Sequence, residues 1–105
     1  MTRADLAQGV QACQVAHAAL EFALAHSHLV TEWHTHSNTL VVLAAPDELD
    51  LARCYADANS AGLCVVAFYE PDLGGALTAV ALEPGAHRLV AHLPLALADG
   101  EEVRT

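Results

Sequence analysis

The chain has 105 residues, 54% of them hydrophobic, and a formal charge of −9 from 13 acids set against four arginines and no lysine. That length suits one domain with one core, and the apolar share argues against disorder. No apolar run is long enough to span a bilayer, and nothing reads as a signal peptide. The acidic balance argues against tight, nonspecific nucleic-acid binding, which depends on a basic face.

After a short, partly apolar start, Gln8 and Gly9 read as a helix entry, and nothing breaks a helix over residues 10–25. Val10, Cys13, Ala16 or His17, Leu20 and Leu24 recur at helical spacing, so that face is expected to be buried, with Gln11, Gln14, His17 and Glu21 forming a polar stripe beside it. Residues 26–38 read as an irregular link. The apolar run 39–45 suits a central strand covered on both faces. Asp47 can cap a helix that runs on to Gly62, with Gly62 closing its C-terminus.

Residues 64–69 and 77–82 read as two buried strands. A proline, an acid and two glycines lie between them and turn the chain sharply. A short helix is expected within residues 86–92, and Leu93, Leu95 and Leu97 pack as an extended segment after it. Strands alternating with helices indicate a single α/β domain over residues 1–98, followed by an acidic tail at 99–105.

The loop before residue 77 is the first candidate for chemistry. Asp72 supplies a carboxylate, and Gly74 and Gly75 let a ligand approach the backbone. With Thr78 and free backbone N–H groups, such a loop could position a water and stabilise an oxyanion. Gln14 and His17, one helical turn apart, are either the wall of that site or helix side chains tied to a neighbouring segment. His26, His28, His34 and His36 fall close together, but no Cys or acid completes a recognised metal spacing around them, so no metal and no cofactor is assigned. Cys13, Cys54 and Cys64 read as buried free thiols, which places the protein in the cytoplasm.

Three segments carry a family resemblance. Arg3-Ala4-Asp5-Leu6 leads to a helix with Gln14, His17 and Ala18. Ser37-Asn38-Thr39 opens an apolar run after the tryptophan. Glu70-Pro71-Asp72-Leu73-Gly74-Gly75 precedes Leu77-Thr78-Ala79. In this order they resemble the type-II peptidyl-tRNA hydrolase family, particularly its short bacterial members, over nearly the whole chain. The resemblance implies a three-layer α/β/α fold around a mixed, roughly four-stranded sheet. It implies cleavage of the ester joining a peptide to the tRNA 3′ end, with Asp72, Thr78, His17 and Gln14 as catalytic residues and Arg3, Gly74 and Gly75 touching substrate.

The expected partner is a tRNA carrying a peptidyl or aminoacyl ester, held by weak, local contacts. A homodimer is a further possibility, and no membrane is involved. Val10 stands where relatives carry a catalytic lysine, which supports the alternative of a non-catalytic member that binds a ligand or a protein. The family's first strand is also apolar, whereas only Met1 and Thr2 occupy that place here. A truncated first strand is therefore expected, leaving neighbouring edges unpaired and promoting self-association. It leaves open that Met1 is an internal residue of a longer protein.

Overall fold

A computed structural model describes residues 1–98; the expected acidic tail at 99–105 lies outside the described residues. Strand β1 (Thr2–Arg3) is followed by helices α1 (Gln8–Ala25) and α2 (Ser27–His36), strand β2 (Ala44–Ala45) and helix α3 (Glu48–Ser60). Strands β3 (Val65–Glu70) and β4 (Ala76–Leu82) follow, joined by a short 3-10 turn at Pro71–Leu73, and helix α4 (His87–Val90) comes last. The sheet runs β2-β1-β4-β3. β1 is parallel to β2 and antiparallel to β4, and β3 is antiparallel to β4. The mixed four-stranded α/β fold and the short first strand are as the sequence implied.

The core lies between the sheet and α3. Ala45, Leu51, Leu77 and Val80 form it, with Met1, Ala52 and Tyr55 packed around them. Leu51 and Val80 are fully buried, each contributing about 1.5–3 kcal/mol of apolar transfer energy. α3 starts as expected: the Asp47 side chain accepts a hydrogen bond from the Asp50 N–H at 3.0 Å, satisfying a donor the helix itself cannot pair.

Four expectations are corrected. α1 buries Gln11, Gln14, Ala18 and Phe22, not the stripe through Val10 and Leu24. Val10, Leu20 and Leu24 are 36%, 65% and 83% exposed, while Gln11 and Gln14 are only 5% and 4% exposed. The glutamines tolerate burial because their amides are paired, Gln11 Nε2 donating to the Leu6 carbonyl at 2.7 Å.

The supposed link at 26–38 is largely the helix α2. Its Thr31 and Thr35 hydroxyls donate to the Ser27 and Thr31 carbonyls, both at 2.9 Å, so these residues bond within the helix instead of competing with it.

The apolar run at 39–45 is not central. Only Ala44 and Ala45 are strand, and β1 and β4 hold the middle of the sheet. β2 is apolar because residues 94–96 cover its outer edge, with Ala44 N–H donating to Pro94 O at 3.0 Å and Ala96 N–H to Val42 O at 2.8 Å. Finally, the thiols are free but not buried: Cys13 is exposed, and Cys54 and Cys64 are half-buried.

Candidate active site

The C-terminal ends of β1, β2 and β3 and the start of β4 meet at one end of the sheet. Ligands of α/β proteins commonly bind at the carboxyl ends of strands. The local sequence of β4 shapes this end. Phe68 pairs with Ala79, but the next β3 residue, Tyr69, pairs with Leu77. Thr78 is therefore the extra residue of a β-bulge, a device that re-aims a side chain. Regular alternation would point Thr78 the same way as Val80, toward α3. Instead its hydroxyl donates to Gln14 Oε1 on α1 at 2.6 Å.

Gln14 passes this contact on. Its Nε2 donates to Glu70 Oε1 at 3.1 Å, and the other Glu70 oxygen accepts a long 3.5 Å bond from the Asp72 N–H. A continuous polar chain thus runs from fully buried Thr78, through buried Gln14, to the base of the turn that carries Asp72. Asp72 itself is exposed, and its carboxylate takes no hydrogen bond or ion pair among the described residues. Glu70 is the participant sequence reasoning passed over. The available signal was an acid closing an apolar strand just ahead of a proline.

The two glycines behave differently from expectation. Gly74 and Gly75 do adopt the left-handed conformation, with φ of 67° and 77°, which favours glycine. Their N–H groups are not free for an oxyanion, however. Gly74 donates to Pro71 O at 3.2 Å and Gly75 to Glu70 O at 2.9 Å. Open space surrounds both Cα atoms, so close approach of a ligand to this backbone remains feasible.

His17 sits on α1 one turn after Gln14. Its ring stacks on Phe68 of β3, with centroids 4.7 Å apart and an interplanar angle of 6°. The imidazole is exposed on this face and its orientation is fixed by the phenyl ring beneath it.

Arg3 lies at the same end but is already engaged. Its Nε and one terminal nitrogen bond the two Asp5 oxygens at 2.9 Å each, and the other terminal nitrogen donates to Leu77 O at 3.1 Å. The hydrogen bond to Asp5 and the charges of Asp5, Glu48 and Asp47 push the guanidinium pKa up further, against its desolvation. In return, the Arg3 bond holds the Asp5 carboxyl below its ordinary range. Glu48 Oε2 accepts the Leu77 N–H at 2.8 Å, so Arg3 and Glu48 together clamp the first turn of β4. The site end is therefore acidic, with Asp5, Asp47, Glu48, Glu70 and Asp72 around one paired arginine.

Among the described residues no group of three His, Cys, Asp or Glu side chains converges as a metal site. No helix there is long and apolar enough to cross a membrane.

The exposed Asp72 carboxylate and the buried polar chain beneath its turn lie where β3 leads into β4. No match is found among curated proteins. The family model described as peptidyl-tRNA hydrolase PTH2 matches residues 2–97, nearly the whole chain, and the protein belongs to that family.

Proposed function

We propose that this chain hydrolyses the ester joining a peptide, or a related aminoacyl group, to the 3′ end of tRNA, releasing free tRNA. The observation that carries the reading is the Thr78–Gln14–Glu70 chain under the Asp72 turn, within a family member matched almost end to end. Asp72 takes a proton from water as the water attacks the ester carbonyl, and later returns it to the leaving ribose hydroxyl. General-base groups of this kind contribute about 10²- to 10⁴-fold.

His17, held flat on Phe68, offers a ring nitrogen to the developing oxyanion or to the terminal ribose. Thr78 is a positioning residue: it is buried and acts through Gln14, which fixes Glu70 and through it the turn. Gly74 and Gly75 leave room for the acyl chain. The acidic rim suits contact with the ester end of the tRNA and not with its phosphates, which fits weak, local binding. Free thiols fit a cytoplasmic location.

The test is cleavage of peptidyl-tRNA by the purified chain and by Asp72→Asn. The variant should lose at least about a hundredfold in rate while its melting temperature stays put, because the Asp72 side chain is exposed and its carboxylate takes no hydrogen bond among the described residues. Full activity in Asp72→Asn would remove the carboxylate from the mechanism. A second reading, a non-catalytic binding module, is favoured by the engagement of Arg3 with Asp5 and by the lack of lysine. It predicts that the unaltered chain binds aminoacyl-tRNA but releases no tRNA.

A further inference from the structure

β3 closes one side of the sheet. Which of its backbone groups face outward follows from the bonds β4 makes elsewhere. The Val80 N–H donates to Met1 O at 3.0 Å. The Leu77 N–H donates to Glu48 Oε2 at 2.8 Å, and Leu77 O accepts from Arg3 at 3.1 Å. Val80 and Leu77 thus turn their backbones away from β3, and Ala67 and Tyr69 stand opposite them. In an antiparallel pair, residues opposite one another either both face the partner strand or both face away. At the start of the strand the Glu83 N–H donates to Cys64 O at 3.1 Å, so Cys64 faces β4 and Val65, the next residue, faces out. Val65, Ala67 and Tyr69 therefore present three N–H and three C=O groups along the outer edge, and no backbone among the described residues pairs with them.

Sheet edges are usually blunted by charge, by proline or by a bulge in the edge strand. Residues 65–69 carry no charge and no proline, and the extra residue of the bulge belongs to β4. The edge is a bare template for one more strand.

α1 flanks it. His17 stacks on Phe68 and Gln14 bonds Glu70, so the helix runs antiparallel to β3 along its length. Val10, His17 and Leu24 share a stripe of α1 with Gln14, on the β3 side, and all three are exposed. Glu21 is the one charge on that stripe. The edge also leads directly into the candidate site, since Asp72 follows the last outward residue, Tyr69, by three positions.

We propose that the outer edge of β3 binds the acyl peptide of the ester substrate as an added strand. This rests on the hydrolase reading. The reacting carbonyl ends that peptide. With the carbonyl at Asp72, the peptide runs back toward Val65, parallel to β3. From Val65 to Tyr69 the edge spans about 13 Å, room for about four residues at ~3.3 Å each. In strand addition the main-chain bonds give the affinity. The edge therefore accepts an extended peptide of almost any sequence and gains little from a lone acyl residue. An uncharged edge in a chain of −9 suits a neutral peptide, whereas tRNA phosphates are repelled by the acidic rim. A second copy placed here would set two −9 chains side by side and cover His17.

The probe is acetyl-Thr-Val-Thr-Ala joined through its terminal carbonyl to the amine of 3′-amino-3′-deoxyadenosine, an amide that mimics the ester and resists cleavage. Amide hydrogen exchange on the full chain reads the edge directly. Saturating probe should slow exchange at Val65, Ala67 and Tyr69 by at least about tenfold, while Val66 and Phe68, bonded to β4, are slow with or without it. N-methylation of one alternate pair of probe residues should weaken binding by at least about tenfold, and of the other pair much less, because only alternate N–H groups face the edge. Among matching tRNA esters, the four-residue acyl chain should be cleaved with kcat/KM at least about tenfold above that of acetyl-Ala.

Unchanged exchange at millimolar probe would overturn the proposal, as would equal effects of the two methylation patterns. Edge protection present without probe and lost on dilution would also overturn it, assigning the edge to a second copy of the chain. The two readings fail separately. Probe-dependent protection with no cleavage of either ester would leave the edge standing and remove the hydrolase. Equal cleavage of both esters with no protection would leave the hydrolase standing and remove the edge.

Discussion

Replacing Thr78 by valine keeps the shape of the side chain and deletes one hydroxyl. That hydroxyl is the donor to Gln14 Oε1 at 2.6 Å, in a fully buried position. Its loss leaves a buried amide oxygen without a donor, which costs about 1–3 kcal/mol. Gln14→Met removes the acceptor instead, and the Thr78 hydroxyl is left with only the 3.5 Å contact to Phe68 O, so a similar cost of about 1–3 kcal/mol applies. For a domain of this size each kcal/mol lowers Tm by about 4–8 °C.

The double variant is the informative one. With both partners apolar, neither the Thr78 hydroxyl nor the Gln14 oxygen is orphaned; the lost Gln14 Nε2 bond to Glu70 is common to Gln14→Met and the double variant, so the double cost should fall below the sum of the single costs. The coupling should lie between about 0.5 and 3 kcal/mol. Urea titration of all four chains measures this, provided the slope of free energy against urea stays constant. If the single effects simply added, to within about 0.5 kcal/mol, Thr78 and Gln14 would not form an energetic unit and the route from sheet to turn would have no thermodynamic meaning.

Two further outcomes follow from the geometry. The Met1 amine is lowered by burial from 8.0 to about 6, so between those values the unfolded chain binds more protons. Stability should therefore rise by roughly 2–3 kcal/mol from pH 6 to pH 8 and level off on either side, as far as this group is concerned. Comparing urea midpoints of the chain with those of its Nα-acetylated form across this range cancels the histidines, and only the unacetylated chain should show the slope. Gly75→Ala should cost about 1–2 kcal/mol, because its φ of 77° is left-handed and a Cβ is unfavourable there. Since that residue closes the turn on Glu70 O, the same variant should slow ester cleavage; unchanged melting and rate would show that the turn relaxes freely.

The parts of this fold legible in the sequence are those set by local chemistry. Asp47 caps α3, and apolar runs either side of a proline–glycine turn become β3 and β4. The misread parts depend on distant partners. Gln14 looks like a surface residue until Glu70 and Thr78, 56 and 64 positions away, satisfy its amide. That exchange inverts the buried face of α1 and leaves Leu20 and Leu24 outside. The run at 39–45 has the composition of a central strand, but the register with β1 pairs only Ala44 and Ala45.

The candidate site was partly legible for the same reason. Asp72, Gly74 and Gly75 announce a turn through residue type alone. The bulge that turns Thr78 toward α1 leaves no local mark, because it arises from how two strands slip past each other. Arg3, the expected substrate contact, bonds the Asp5 carboxylate two residues away and Leu77 O across the sheet.

The place of β1 has a consequence for how the chain is made. Met1, Thr2 and Arg3 are synthesised well before β4, yet their hydrogen bonds to Val80, Thr78 and Leu77 span 79, 76 and 74 residues. The middle of the sheet cannot close until β4 has left the ribosome. Contacts this distant in sequence slow folding, because the loop must be closed before it is rewarded. During synthesis α1 and α2 can form early, but the surface they later cover is missing its central strand pair. The nascent chain therefore carries exposed apolar strand edges until β4 emerges, and the residues of β1 wait for a partner made more than seventy residues later.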